Sequence, residues 1–581
     1  MIQDQQPSYL HQLNILSEGK KNTISINNAT LSFIPDIGSI LAGDSKISDI
    51  VLNNPIISIN NSDRVVEELA EQKKGKLPRL NINQISILNP VITNLPPSKQ
   101  HKINVAEHTS NWYLKDIRSN DNLLTIKGIK SSMTGFSAET NTVTLSVSGQ
   151  GKLDVDITGI NFSPASNTTA ARWSATLNAV SARNIAVTTK KNDSVKNNIQ
   201  LYSLDAENLM LNNVEKITAG NMLAGNKNFR VKNTSINILT PKNNLRVNNL
   251  QFENSVQTIS FDSMAFVPLI DRDSFNKVNI YQKDYIQFST GKTFIDGVNP
   301  ELFFRDTIFF LKKIEINQAM LRVYKDKRLP ANKSSYQPLP VTAIQQISKK
   351  ISVDSIQVKN ADISYEEVNE KTLMTGVVKF KRTDALIQNF KTFDIKPTDS
   401  LRLYVTSWAM DTIFLKLRFN ESYMDTLNGF LFGVRLSPFN MTALNPILQP
   451  LVSAKINRGW MDTLRLTAIG REYIAYGKMK MYYSNLKATY LKNGNEEVKT
   501  FKTKLITFFA NSLILRHNNQ KGFGQVYAER MRDKSLFNYW LKILISGAIS
   551  NTGVKTNKKL EKKYHQSIKK KKLPEIQEIE L

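Results

Sequence analysis

The stretch "SDIVLNNPIISIN", residues 48–60, decides how this chain is read. Apolar and polar residues alternate up to an Asn-Asn-Pro interruption, after which the alternation resumes. Period-two alternation marks a strand with one buried and one wetted face. Asparagine tolerates left-handed φ and hydrogen-bonds its own backbone, which suits a bulge or tight turn. The stretch therefore predicts a strand that bends or hands over to the next.

The same plan recurs in "ISINNATLSF" (24–33), "ISILNPVITN" (85–94), "FRVKNTSINI" (229–238), "LRVNNLQF" (245–252), "IEINQAMLRV" (314–323) and "IQVKNADISY" (356–365). A parallel β-helix would space its interruptions almost evenly. The asparagines at 28, 54, 89, 233, 249, 317 and 360 have no such period. A meandering antiparallel sheet with hairpins of varied length fits better. Such a sheet must hide its apolar face, by closing into a sandwich, by curling around a ligand, or by both in different parts. Helices are few. Residues 62–76 carry an N-cap Ser or Asp, early acids, late lysines and a Gly stop, and 340–350 begins with Pro. The Pro- and Ser-rich segment 328–340 predicts a linker.

Composition narrows the classes. The chain has 581 residues, 41% of them hydrophobic, which is ample for a large core. A net charge of +27 attracts anionic partners, whether lipid headgroups, nucleic acid or polysaccharide. The absence of cysteine excludes disulfides, thiolate zinc sites and a Cys nucleophile. The first residues lack the basic and apolar regions of a signal peptide, and no apolar run reaches the roughly 18 residues of a membrane span.

Catalytic signals are weak. "GKT" at 291–293 would place the first glycine of a phosphate loop at Ile286, inside a predicted strand. His101 and His108 lie near one another without metal-ligand spacing to carboxylates, and no G-x-S-x-G elbow occurs. Glu366 and Glu367 take a structural role, and the scattered acids read as edge guards rather than an acid/base pair. No nucleic-acid-binding fold motif accompanies the lysines, which are spread along the whole chain.

The C-terminal region differs. "KSLFNYWLKILISGAIS" (534–550) is apolar nearly all round but too short, and too interrupted by Lys542, to cross a bilayer. Such a helix is buried, capping the open end of the sheet, or lies in an interface. The tail that follows, through 576, is densely basic. As a membrane-contacting pair of segments, the helix would offer Phe537, Trp540, Leu541 and Leu544. The tail would offer Lys558, Lys559, Lys562 and Lys563 to anionic headgroups, at about 1 kcal/mol per basic residue near the surface. A solvated tail is the alternative.

Two segments resemble AsmA-like envelope proteins of Bacteroidetes: 351–390, with Tyr365, Glu367, Gly376 and Phe380 at matching places, and 437–494, with Asn445-Pro446, Gly459, Asp462, Gly477 and Leu486. That family is similar to the translocation and assembly module and to bridge-like lipid transfer proteins. The resemblance implies a mainly β fold: an elongated, highly twisted antiparallel sheet curled into an apolar groove, with few short helices. It also implies phospholipid movement toward the outer membrane and, in the full-length form, inner-membrane anchoring by an N-terminal helix; no such helix is visible in this sequence, which puts the anchoring in doubt or marks a truncated chain. An acyl chain in water costs roughly 0.8 kcal/mol per exposed CH₂, so an apolar trough lowers the barrier to crossing an aqueous gap.

The expected organisation is an N-terminal β-repeat region (1–195), a central one (196–327), a linker with a short helix (328–350), a C-terminal β region (351–533), the apolar helix (534–553) and the basic tail (554–581). The expected function is non-enzymatic lipid transfer in the cell envelope or periplasm. Its partners would be phospholipid, the membrane surface and other envelope proteins, with no nucleic acid and no cofactor. A structural or adhesive β-repeat protein without lipid cargo is the alternative, and a polysaccharide-cleaving β-helix comes third.

Overall fold

The computed structural model describes residues 8–18, 22–35, 46–61, 79–93, 101–104, 110–120, 122–135, 137–140, 143–164, 172–191, 194–212, 226, 228–332, 336–425, 429–492, 496–497, 518–519, 523–552 and 562. The helix expected at 62–76, His108, and all of the basic tail except Lys562 lie outside them. Within the described residues the chain is mainly β with few short helices. It divides into two compact units, Met1–Met264 with Asn299–Asp306, and Ala265–Val298 with Thr307–Leu581.

Neighbouring strands are mostly antiparallel, as expected, and parallel pairings at one place in each unit make the sheet mixed. In the first unit, Lys46–Asn53 runs parallel to Leu80–Leu88, and Ile56–Asn61 parallel to Val91–Thr93. In the second, Ile308–Asn317 and Met320–Asp326 both run parallel to Lys350–Val368. A parallel neighbour needs a crossover of about a dozen residues or more. The connecting segments 62–79 and 327–349 are long enough for one, and the sequence already breaks its strand pattern there.

The recurring unit is a strand broken by one left-handed residue. Residues 48–60 form two collinear pieces, Lys46–Asn53 and Ile56–Asn61, joined at Asn54 with φ 50°. Their neighbour breaks at the matching place, Asn89, also with φ 50°. The two breaks interlock: the Asn54 N–H donates to the Leu88 carbonyl at 2.9 Å and the Val91 N–H to the Pro55 carbonyl at 2.8 Å. Asn233, Asn249 and Asn360 adopt the same φ inside longer strands, each where the ladder shifts register. Side chains collect the backbone groups that a bulge frees. Asp384 accepts from the Asn360 N–H at 2.9 Å, and Ser235 Oγ from the Asn249 N–H at 3.2 Å. At Asn317 the left-handed residue is instead its neighbour Gln318 (φ 52°). Asn317 pairs with Lys359, so the position facing the bulge at Asn360 is the next one along.

In the second unit, a large buried cluster joins one sheet face to three helical segments: Pro340–Gln345, Met441–Val452 and Leu536–Asn551. The helix expected over 340–350 ends early because Lys350 begins a strand. The expected linker is docked in part: the Gln337 N–H donates to the Arg532 carbonyl at 2.8 Å, and the Tyr336 hydroxyl to Glu472 at 3.1 Å.

Two of the helices absent from the sequence expectations, Arg272–Val278 and Asn445–Val452, carry local start signals. The first has Asp271 as N-cap, accepting from the Asp273 and Ser274 N–H groups, and the second has Pro446 in its first turn.

Candidate functional site

The strand register turns local alternation into continuous apolar rows. Residues paired directly across neighbouring strands project to the same face. In the first unit, Phe33, Ile50, Ile85, Leu114, Ile129, Ile157, Leu177 and Leu209 pair in unbroken succession. A second row on that face runs Leu31, Leu52, Ile87, Trp112, Ser131, Val155, Val180, Ala206, Val231, Phe252 and Ile259, with Ser131 its one polar member. From Phe33 to Leu177 every residue of the first row is half-buried rather than buried. The first unit's buried cluster is small, centred on Ala182 and Ile185.

The second unit repeats the device. Ile295, Ile314, Ile356, Ile387, Leu403, Phe419, Phe432, Ala468, Gly477 and Val526 form one row. Its two ends differ. Ile295 through Leu403 are half-buried, whereas Phe419 through Val526 are buried in the core under the helix Leu536–Asn551. Trp540 stacks on Phe432 with ring centroids 4.9 Å apart and planes 12° apart, and Tyr539 meets Phe430 edge-on at 5.7 Å.

That helix also closes the sheet's free edge. Lys542, Ser546 and Ser550, one turn apart, meet Glu529, Tyr527 and Gln525, two residues apart on the last strand, Gly524–Glu529. Lys542 Nζ donates to the Glu529 carbonyl at 3.3 Å, and Ser546 Oγ to the Tyr527 carbonyl at 2.8 Å. The Tyr527 N–H donates to Ser546 Oγ at 2.9 Å and the Gln525 N–H to Ser550 Oγ at 3.0 Å. A helical turn of about 5.4 Å and two strand residues of about 6.6 Å are close enough for the ladders to match. Edge groups left open would template pairing with another chain. The polar residues Lys542, Ser546 and Ser550, spaced four apart inside an apolar helix, are the sequence signal for this contact.

The sequence-designated membrane contacts therefore fall into different surroundings. Trp540 and Leu544 pack on the core cluster, and Leu541 is half-buried. Phe537 is 38% exposed and touches Tyr365 and Phe380, with ring centroids 6.1 and 6.5 Å away. Lys562 is exposed, and Lys558, Lys559 and Lys563 lie outside the described residues.

Glu366 and Glu367 of the 351–390 segment are held in structural contacts. The Tyr365 hydroxyl donates to Glu367 Oε2 at 2.6 Å, Lys327 pairs with Glu367, and Arg272 pairs with Glu366 at 3.0 Å. Burial, reinforced by Glu367, raises the Tyr365 phenol pKa. "GKT" falls on the turn between Asp284–Thr290 and Thr293–Asp296. Among the described residues, no cluster of metal-ligating side chains occurs and no helix is long and apolar enough to cross a membrane.

Glu421 is the carboxylate the sequence did not single out. It sits in the core, where one oxygen accepts from the Val341 N–H at 3.0 Å. Burial pushes its pKa from 4.5 up to about 7, against the lowering effects of that hydrogen bond and of Arg530. The folded state therefore favours the protonated acid. The resulting stability is complete below about pH 4.5 and is lost as pH rises through about 7. Glu421→Gln is expected to remove this decline, stabilising the second unit above pH 7 by on the order of 3 kcal/mol while changing little at low pH. Thermal melts of both proteins across this range check it; parallel pH profiles would sink the assignment.

Compared with protein-family models, curated proteins and solved structures, the chain has no match.

Proposed function

We propose that this chain binds phospholipid along its apolar sheet face and passes it between membranes of a bacterial cell envelope, without catalysis and without a cofactor. The observation that carries the reading is the succession of half-buried apolar rows from strand to strand in the first unit and in the open part of the second. Apolar area left in water costs about 25 cal/mol per Å². Acyl chains laid along such rows would remove that cost without a specific pocket, and in the first unit's two rows the one polar side chain they would meet is Ser131. The resemblance of 351–390 and 437–494 to AsmA-like proteins supports the same function, carried out beside the inner membrane with phospholipid, the membrane surface and other envelope proteins as partners.

The closed core beneath the C-terminal helix favours a second reading for that end of the chain, a structural or adhesive role without cargo.

Native mass spectrometry with lipid extraction on protein purified in mild detergent separates the two. Several phospholipids are expected to co-purify with each chain. Most should be lost in the Ile129→Asp/Ile157→Asp variant, which sets two carboxylates side by side in one row. A lipid-free chain that also takes up no labelled phospholipid from liposomes would leave the structural role in front.

A further inference from the structure

On the wetted face of the second unit's sheet, cations stand directly opposite one another on four neighbouring strands. Lys416 pairs with Arg435, Arg435 with Arg465, and Arg465 with Lys480, on the strands Ile413–Ser422, Phe430–Leu436, Ala454–Gly470 and Ile474–Lys492. Their strand neighbours Leu415, Val434, Leu464, Leu466, Met479 and Met481 point into the core, so the cations share the opposite face. Lys416, Arg465 and Lys480 are exposed. Adjacent strands stand about 4.8 Å apart, and like charges placed directly opposite one another destabilise a sheet.

Other sheet cations of the second unit are balanced, Lys359 by Glu315 at 2.8 Å and Lys381 by Asp362 at 2.7 Å, and the first unit does the same. There Lys130 pairs with Asp156 at 3.4 Å, Arg183 with Asp205 at 2.7 Å and Lys232 with Glu207 at 2.9 Å. Among the described residues, no carboxylate pairs with Lys416, Arg435 or Arg465. Arg458 and Lys487, themselves partners in register, extend the positive surface along the strands, and Trp460 stands 46% exposed beside them. Asp462 is the one carboxylate on that strand, Ala454–Gly470.

We propose that this face docks on an anionic phospholipid membrane surface. The row of like charges is unfavourable in the free protein and becomes favourable against a plane of negative headgroups, which the cations meet across several strands rather than along one line. An exposed indole suits the headgroup level of a bilayer. The choice of lipid over nucleic acid rests on the lipid-handling function proposed above. The docking face and the apolar rows are opposite sides of the sheet, so the two fail separately.

The test is flotation of the full chain with vesicles of phosphatidylcholine alone and of phosphatidylcholine mixed with phosphatidylglycerol. Binding is expected only to the mixed vesicles and should weaken as salt is raised. Each basic residue near an anionic surface contributes about fivefold, so Arg435→Gln/Arg465→Gln is expected to lose on the order of 20-fold. Co-purified lipid should not change. Lys130→Gln, which removes a neutralised cation, should bind as the wild type does. Lys416→Gln/Lys480→Gln is an independent pair should the arginine variant melt early. Three outcomes overturn the proposal: equal binding by the variants, equal binding to neutral vesicles, or tighter binding to duplex DNA at the same salt with loss in the arginine variant. Loss of co-purified lipid with vesicle binding intact would instead count against the lipid-handling function.

Discussion

Phe432→Ala is expected to cost the second unit about 3–5 kcal/mol, the range for emptying a buried aromatic site. Phe432 is 1% exposed and lies in the apolar row between Phe419 and Ala468, with the Trp540 indole stacked on it. Removing the ring takes away transfer energy and contact area on both sides, and neither the sheet backbone nor the helix can close the gap without breaking other contacts. Tyr539, 1% exposed, is tied by its hydroxyl to the Arg471 carbonyl at 3.0 Å, and the serine ladder ties the helix to the edge strand. The whole cluster should weaken together. Because two units need not unfold as one, the transition followed by Trp540 fluorescence, with the other tryptophans changed to Phe, is the proper measure. A midpoint within about 1 kcal/mol of the parent would mean that the helix does not rest on this face.

The second large effect belongs to a glycine. A Cβ at Gly477 would stand 2.2 Å from the Thr467 carbonyl oxygen and 2.7 Å from the Ala468 Cα, both backbone atoms of the paired strand. Those strands cannot separate locally without losing ladder hydrogen bonds. Gly477→Ala is therefore expected to cost about 3 kcal/mol or more, at or beyond the upper end of ordinary overpacking. Gly376 is the control. Its Cβ would approach the Leu451 side chain at 2.7 Å, and that side chain can turn away. Gly376→Ala should lose less, and urea titrations of the two variants in parallel decide it. Equal costs would show that backbone approach is not what reserves position 477 for glycine.

Much of the fold is legible because it is written locally. The alternation in 48–60 and its relatives names the strands, and the asparagines at 54, 89, 233, 249 and 360 name the breaks, since few other residues take φ near 50° cheaply. Asn317 shows the limit of that rule. Its bulge moved to Gln318 because the parallel neighbour set the register, and a register is a relation between segments distant in sequence. The parallel pairings were hidden for the same reason. The sequence marked the long connections but not the direction in which the chain returned.

The candidate site was legible only in parts. Each strand displays its apolar positions, yet nothing local says that Ile129 stands beside Ile157, or that Arg435 stands beside Arg465. The C-terminal helix was plain from its composition. Its partner was not, since Phe432, Ser546 and Tyr527 meet only after the sheet has formed.

What the sequence alone determined is the class of element at each position: strand, left-handed break, apolar helix, and a strong excess of positive charge. These follow from side-chain chemistry acting on the nearest few bonds. The tertiary structure alone decided which apolar positions line up as open rows, where the helix seals them, and where cations face one another unbalanced. Interstrand hydrogen bonding fixes all three by setting the register, and a shift of one residue would turn every side chain of a strand to the other face.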